Sequence, residues 1–362
     1  MIIFCIILLG FIYEDADSLI VNNDSLLICG LHQYNVKVDL INNAQITVRT
    51  WNGSDSSGWL QFKAPYIHIN NSSILGPGCG YSGGDNSHPD GAGPGYGSAG
   101  TTGGGGGGAY GGAGGDGGDT NPGIGGQPYG SQTDTLIQMG SGGGAGRLSE
   151  VDGFGGAGGG MVYLYGSIIS IDSSYINVPG QNGFDGSLEA GAGGSGGGVL
   201  IRGDTLHLYS LNINSSGGSG GDGAFGGGGG GGGGRIKIFF INLLDTLNLS
   251  LSVQPGSPGT GSYGNPQPGE EGTIHISPIV SIAQQKNNFN RTWRVYPSLS
   301  DKYINVDTDD NRFIIYNAEG RVVKRITLHK KKKVDLRCLK SGVYFIKPQS
   351  VNTVCAKIVV IR

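Results

Sequence analysis

Basic residues are the first scarcity: residues 1–282 hold seven Lys and Arg against 21 Asp and Glu, a net charge of −14. Such a region is unsuited to a phosphate backbone, and the basic residues of the tail sit between strand-like runs with only Lys330–Lys333 clustered, as solvated turn charge, so no nucleic-acid partner is expected. Long apolar runs are also missing. The longest, Ile2–Ile12, falls short of the roughly 20 residues that a bilayer-spanning helix needs, so no transmembrane segment is expected in the mature chain. No CxxC pair occurs, which removes the common zinc-binding spacings. No GxxxxGK[ST] occurs either, so the abundant glycines do not make a phosphate-binding loop. No cofactor is expected. Helical periodicity is almost absent after the first residues, and the glycines lack the strict three-residue period of collagen.

What the chain has instead is 74 glycines among 362 residues. Glycine costs the most backbone entropy on ordering, so the choice lies between disorder and a repeat fold with glycine-rich excursions. Repetition decides it. "FKAPYIHINNSSILGPG" (Phe62–Gly78), "LYGSIISIDSSYINVPG" (Leu164–Gly180) and "IRGDTLHLYSLNINSSG" (Ile201–Gly217) align without gaps. Each is apolar at its first, sixth, eighth and thirteenth places, and within each copy apolar residues alternate with period two, the signature of strands. A looser copy starts at Arg235 and a truncated one at Gly272, with repeat starts 36 to 38 residues apart. Short strands recurring at fixed intervals predict an all-β solenoid: a glycine-rich right-handed parallel β-helix over residues 20–280. The excursions, such as the nine glycines Gly226–Gly234, leave at equivalent corners. They are expected to lie side by side in polyproline-II conformation, satisfying one another's backbone groups. The two ends of Gly76–Gly160 are expected to be partly disordered.

The apolar run at the start fits the core of a secretory signal peptide over residues 1–16, although it lacks a leading basic residue and a small-residue cleavage site. Export would permit pairing among Cys29, Cys79, Cys338 and Cys355, with Cys338 and Cys355 in one domain; buried free thiols fit the spacing equally well. Alternation sends His68, Ser170, His207 and Asn248 outward as one column, a candidate sugar-binding row with no carboxylate pair in it. Asp116, Asp119 and Asp222 lie in segments that approach calcium-repeat composition without matching the motif. "DTL" recurs at Asp134–Leu136, Asp204–Leu206 and Asp245–Leu247. It resembles a bacterial O-glycosylation sequence, which makes Thr135, Thr205 and Thr246 candidate attachment points, while turn chemistry explains the last two as well. Thr-x-Thr ladders suited to ice are absent.

After residue 280 the composition reverses: residues 283–362 carry 17 Lys and Arg against six acidic residues, a net of +11. Residues 281–293 read as a linker. About six strand-like runs then follow within residues 294–362, the spacing of a small Ig-like β-sandwich. Here the motifs are recognisable: "VYP" with Tyr296 and Pro297, "IIYNAEGRVV" with Gly320 and Arg321, "SGVYFIK" with Gly342, Val343, Tyr344, Phe345 and Lys347, and the final "AKIVVIR". In order and place they resemble the type A C-terminal sorting domain of type IX secretion substrates. "YPSL" replaces that family's Tyr-Pro-Asn-Pro opening. The resemblance implies a signal peptide, passage through the periplasm and the type IX translocon, and release or attachment at the cell surface. From the residues themselves, Gly320 and Gly342 suit positive φ at strand reversals, and Val343 and Phe345 are expected to face the core.

The expectation is therefore a non-enzymatic, secreted or surface-displayed structural or adhesion protein, with surface glycans or extracellular matrix as candidate partners. A carbohydrate-active β-helix enzyme, lyase or hydrolase, is the alternative.

Overall fold

The protein is described here by a computed structural model covering residues 10–53, 56–147 and 152–279. In the tail it describes residues 294–296, 299–300, 302–307, 312–318, 320–328, 333–348 and 356–360. The chain divides into two compact bodies, residues 1–279 and 280–362. All regular structure among the described residues is strand, and no helix there is long and apolar enough to cross a membrane. The proposed linker 281–293 and most of the signal segment lie outside the described residues.

In the first body the strands are β1 (Phe11–Glu14), β2 (Ser18–Asn22), β3 (Ser25–Ile28), β4 (Gly30–Gln33), β5 (Lys37–Ile41), β6 (Gln45–Val48), β7 (Trp59–Lys63) and β8 (Tyr66–Asn70). They continue with β9 (Ser73–Leu75), β10 (Met161–Asp172), β11 (Tyr175–Asn177), β12 (Gly198–Tyr209), β13 (Asn212–Asn214), β14 (Arg235–Leu247), β15 (Ser250–Ser252) and β16 (Thr273–Pro278). Ten strands make one sheet, along the path β1-β2-β5-β8-β10-β12-β14-β16 with β4 and β7 beside it. Six make a second, β15-β13-β11-β9-β6-β3. β1, at one edge, pairs antiparallel with β2; the repeat strands pair in parallel.

The places aligned in the sequence are ladder partners. Phe62, Leu164 and Ile201 occupy one rung line; Ile67, Ile169 and Leu206 the next; then Ile69, Ile171 and Leu208, and on the second sheet Ile74, Ile176 and Ile213. All twelve are buried in a single apolar cluster. Each such side chain contributes roughly 1.5–3 kcal/mol on burial, and a shift by one residue would turn the stripe to solvent. The repeat starts are Met161, Gly198, Arg235 and Thr273, spacings of 37, 37 and 38 residues. Over the last two repeats the stripe ends: Thr246 of β14 falls opposite buried Leu208, and Ile274 and Ile276 of β16 are exposed.

The glycine excursions are knitted together by their backbones. Gly228, Gly231 and Gly234 donate to the carbonyls of Gly221, Gly218 and Ser215; Gly229 and Gly232 donate to Gly105 and Gly108; Gly230 and Gly233 donate to Gln267 and Glu270. One run thus serves three neighbours in rotation, every third residue turning the same way, the period of a polyproline-II chain. Gly104–Ala109 repeats the pattern toward 115–118, 190–193 and 95–98. The ends of Gly76–Gly160 were expected to be loose. They are instead bonded to each other, Gly80 to Gly158 and Gly155 to Gly84.

One acid interrupts this bundle. Glu189 is 3% exposed, its Oε2 lies against the Cα side of Gly226 without a hydrogen-bond partner, and Asp152 accepts from its N–H. Burial, then the facing carboxylate of Asp119, pushes its pKa from about 4.5 up to about 7. An acid whose folded pKa is raised contributes stability that is complete below its unfolded value and lost as pH rises through the folded one. The midpoint of thermal unfolding is therefore expected to fall between pH 4.5 and 7, by up to roughly 3 kcal/mol in stability. Glu189→Gln should flatten that slope, and an unchanged pH profile in the variant would refute the assignment.

The second body holds β17 (Arg294–Tyr296), β18 (Leu299–Ser300), β19 (Tyr303–Asp307), β20 (Arg312–Asn317), β21 (Val322–Thr327), β22 (Lys333–Asp335), β23 (Gly342–Pro348) and β24 (Ala356–Val360). They form sheets β17-β19-β22 and β18-β24-β23-β20-β21 around a separate core that includes Ile304, Val306, Phe313, Ile315, Ile346 and Ile358. The expected inward residues of β23 are corrected: Ile346 is fully buried and Tyr344 packs on the core, whereas Val343 is 36% exposed and Phe345 half-buried. Val-Tyr-Phe-Ile is apolar at every place and carries no phase of its own. The phase comes from pairing with Ile315 of β20 and Ala356 of β24.

Candidate functional site

The outward column runs across five strands. Asp39 of β5 is opposite His68 of β8, His68 opposite Ser170 of β10, Ser170 opposite His207 of β12, and His207 opposite Asp245 of β14. Asp245, not Asn248, is therefore the fourth-repeat member. β14 carries a bulge: between Gly203 and Thr205 of β12 stands one residue, Asp204, where β14 has two, Ile241 and Asn242. The looser fourth copy offers Leu243, Leu244, Leu247 and Leu249, so alternation alone gives it no single phase.

The column is an Asp-His-Ser-His-Asp row. His68 Nδ1 lies 2.8 Å from Asp39 Oδ1, and Lys37 Nζ donates to Asp39 Oδ2 at 2.9 Å. Burial raises the Asp39 pKa, but these two partners outweigh it and hold the carboxyl below its ordinary value. At the other end His207 Nδ1 is 3.7 Å from Asp245 Oδ2, to which Tyr209 donates at 2.5 Å. Tyr66 stacks on His68 with ring planes 14° apart. His68 is thus bonded through Nδ1 to a carboxylate on the side away from Ser170, while His207 Nδ1 meets the Tyr209 hydroxyl at 3.4 Å and reaches Asp245 only through it.

Five residues earlier in each repeat, before the Ala64–Pro65 and Gly166–Ser167 break, another outward row reads Lys63, Tyr165, Arg202. Lys63 Nζ and Arg202 Cζ stand 5.9 and 5.3 Å from the Tyr165 ring centroid. Beside this row the strands bend at Ala64–Pro65 and Gly166–Ser167, leaving a cavity of about 330 Å³ whose lining includes Gln33, Asn35, Lys63, Tyr165, Ser167 and Asp204. Sequence reasoning missed this row, although the signal was present: Lys, Tyr and Arg are the second places of the three aligned copies.

Two other cations, Arg235 and Lys237, are used up in structure. Lys237, 1% exposed, donates to the carbonyls of Ser131, Asp134 and Leu136 and to the Asp134 carboxylate. Arg235 donates to Thr273 and to the carbonyls of Tyr110, Tyr129 and Gly130. The loop they clamp presents Thr135 to solvent. Thr205 and Thr246 lie inside β12 and β14, not at turns, half-buried and exposed respectively. Asp116 caps the N–H of Gly125, Asp222 that of Thr260, and Asp119 faces Glu189, so the three acids are not brought together. Cys79 is buried and Cys29 half-buried, both free, and Cys338 is free and exposed; Cys355 is outside the described residues.

In the tail, Tyr296 ends β17 and Pro297 lies outside the described residues. Gly320, at φ 77°, makes the β20–β21 reversal: its N–H bonds Asn317 O, and the Arg321 N–H bonds Asn317 Oδ1 at 2.8 Å. Gly342, at φ 159°, opens β23 on nearly extended backbone. The Arg321 side is exposed and Lys347 half-buried. Ile315, Ile346 and Ile358 are the buried frame behind these motifs.

No curated protein and no solved structure matches the chain. Residues 294–362 match the family model described as the secretion system C-terminal sorting domain. That match covers the tail alone, and it supports a type IX secretion substrate, exported to the cell surface or the extracellular space through that machinery.

Proposed function

We propose that the first body is a non-catalytic structural and adhesive element, a right-handed parallel β-helix with a glycine bundle at its corner, which the tail carries to the cell exterior to engage surface glycans or matrix. The observation that carries this reading is the spacing of the outward row. Its ionisable groups stand one per strand, and Asp39 and Asp245 are four strand spacings apart, roughly 19 Å. Carboxylate-pair glycoside hydrolysis needs two acids within about 5–10 Å across one bond. A row of imidazole, hydroxyl, carboxylate and Tyr edges spread along a sheet suits contact with an extended polymer instead.

The test is a glycan panel with a turnover assay on the same preparations of full-length protein. Binding without release of new reducing ends or unsaturated products is expected, and turnover of any acidic polysaccharide would favour the enzyme alternative. Intact mass on those preparations also reads sugars on Thr135, Thr205 and Thr246; an unmodified mass removes that assignment.

A further inference from the structure

We infer that the cavity beside Tyr165 binds an anionic saccharide unit, its carboxylate or sulfate held by Lys63 in the cavity wall, with Arg202 across the Tyr165 ring adding positive potential. This rests on the adhesive reading above and names the chemistry of its ligand.

The first body is strongly acidic and has only seven basic residues. Lys37 is paired with Asp39, while Arg235 and Lys237 are buried and spent on carbonyls and on Asp134. Among the described residues Lys63 and Arg202 enter no ion pair, and the fold brings them to the same aromatic ring from β7 and β12, the strands on either side of β10; Lys63 lines the cavity, while Arg202 also bonds the Tyr163 hydroxyl. Two half-buried cations on one ring repel each other, and Tyr165 offsets only part of that through its ring face. An anion in the cavity at Lys63 would relieve that repulsion. The cavity next to them has the volume of a small-ligand site, and its polar lining, the Gln33 and Asn35 amides, the Ser167 hydroxyl and the Asp204 carboxylate, suits a polyhydroxylated ligand. A simple phosphate would use the cations and leave these groups idle. The destination outside the cell adds the last constraint, since the polyhydroxylated anions met there are acidic polysaccharides.

The experiment is calorimetric titration of the full-length protein with three probes: polygalacturonate, a sulfated galactan and a neutral galactan. Lys63→Gln, Arg202→Gln and the double variant are compared with Arg49→Gln, an exposed cation on the same body. At least one anionic polymer should bind more tightly than the neutral one, and less tightly as salt is raised. Lys63→Gln should lose about tenfold in affinity, the worth of one charged hydrogen bond, Arg202→Gln should lose a smaller, salt-dependent factor, and the double variant should bind the anionic polymer no better than the neutral one. Preference between the first two probes tells carboxylate from sulfate. Binding that survives in the double variant, or that Arg49→Gln weakens equally, overturns this site while leaving the adhesive reading intact. A wild-type protein that binds none of the three overturns both.

Discussion

Gly231→Val is expected to lower the thermal midpoint of the first body by about 10 °C or more, whereas Gly53→Ala should cost only about 1 kcal/mol. A Cβ at Gly231 would sit on the carbonyl oxygen of Gly194, whose position is itself set by the neighbouring excursions. Backbone cannot rotate aside as a side chain can, so the bundle must part there. Parting would uncouple the N–H of Gly231 from Gly218 and those of its neighbours Gly230 and Gly232 from Gln267 and Gly108. Each bond is worth about 0.5–1.5 kcal/mol net, and more where the freed group stays buried. Gly53 is the control because it has φ 86° and open space around its Cα, which leaves only the left-handed backbone penalty. Differential scanning calorimetry reads both. Deuterium exchange checks the cause: the amides of Gly228–Gly234 should be protected in the wild type, and fast exchange of all of them would refute the knitted bundle.

Deleting residues 294–362 is expected to abolish surface delivery and hold the first body in the periplasm. The tail's strands close on their own core, with Phe313, Ile315, Ile346 and Ile358 buried among themselves. A segment with its own core can act as a portable address, so fusing residues 280–362 to an exported carrier should send that carrier outward. Ile346→Asp supplies a sharper version, since an unpaired buried charge costs several kcal/mol and should unfold the tail without touching the first body. Protease shaving of intact cells distinguishes surface from periplasmic protein. Undiminished surface signal after the deletion would show that the sorting assignment fails.

Much of this was written in local pattern. Where alternation was strict, as from Phe62 to Ile74, the aligned places became ladder partners, because period two leaves only two choices and burial selects one. Where every place was apolar, in Val343–Ile346 or Leu243–Leu249, the pattern held no phase, and distant pairing partners set it. The glycine runs were harder still. That they would pack could be argued from their backbone groups, but nothing in Gly104–Gly108 says that it belongs between residues 190–193 and 226–234. Glycine has no side chain with which to specify a neighbour. Asp39 was missed because its strand lies before the first aligned copy, and Asp245 because a bulge of one residue moved its rung.

The same economy of side chains alters how the first body meets its surroundings. Between Lys63 and Arg147 there is no Lys or Arg, and between Lys237 and Ile279 there is none either. Arg235 and Lys237 are buried. A trypsin-like peptidase outside the cell must fit an extended, side-chain-bearing segment into its cleft. Across residues 64–146 and 238–279 it finds no residue that it recognises. Resistance to digestion there follows from a surface that offers a protease nothing to read.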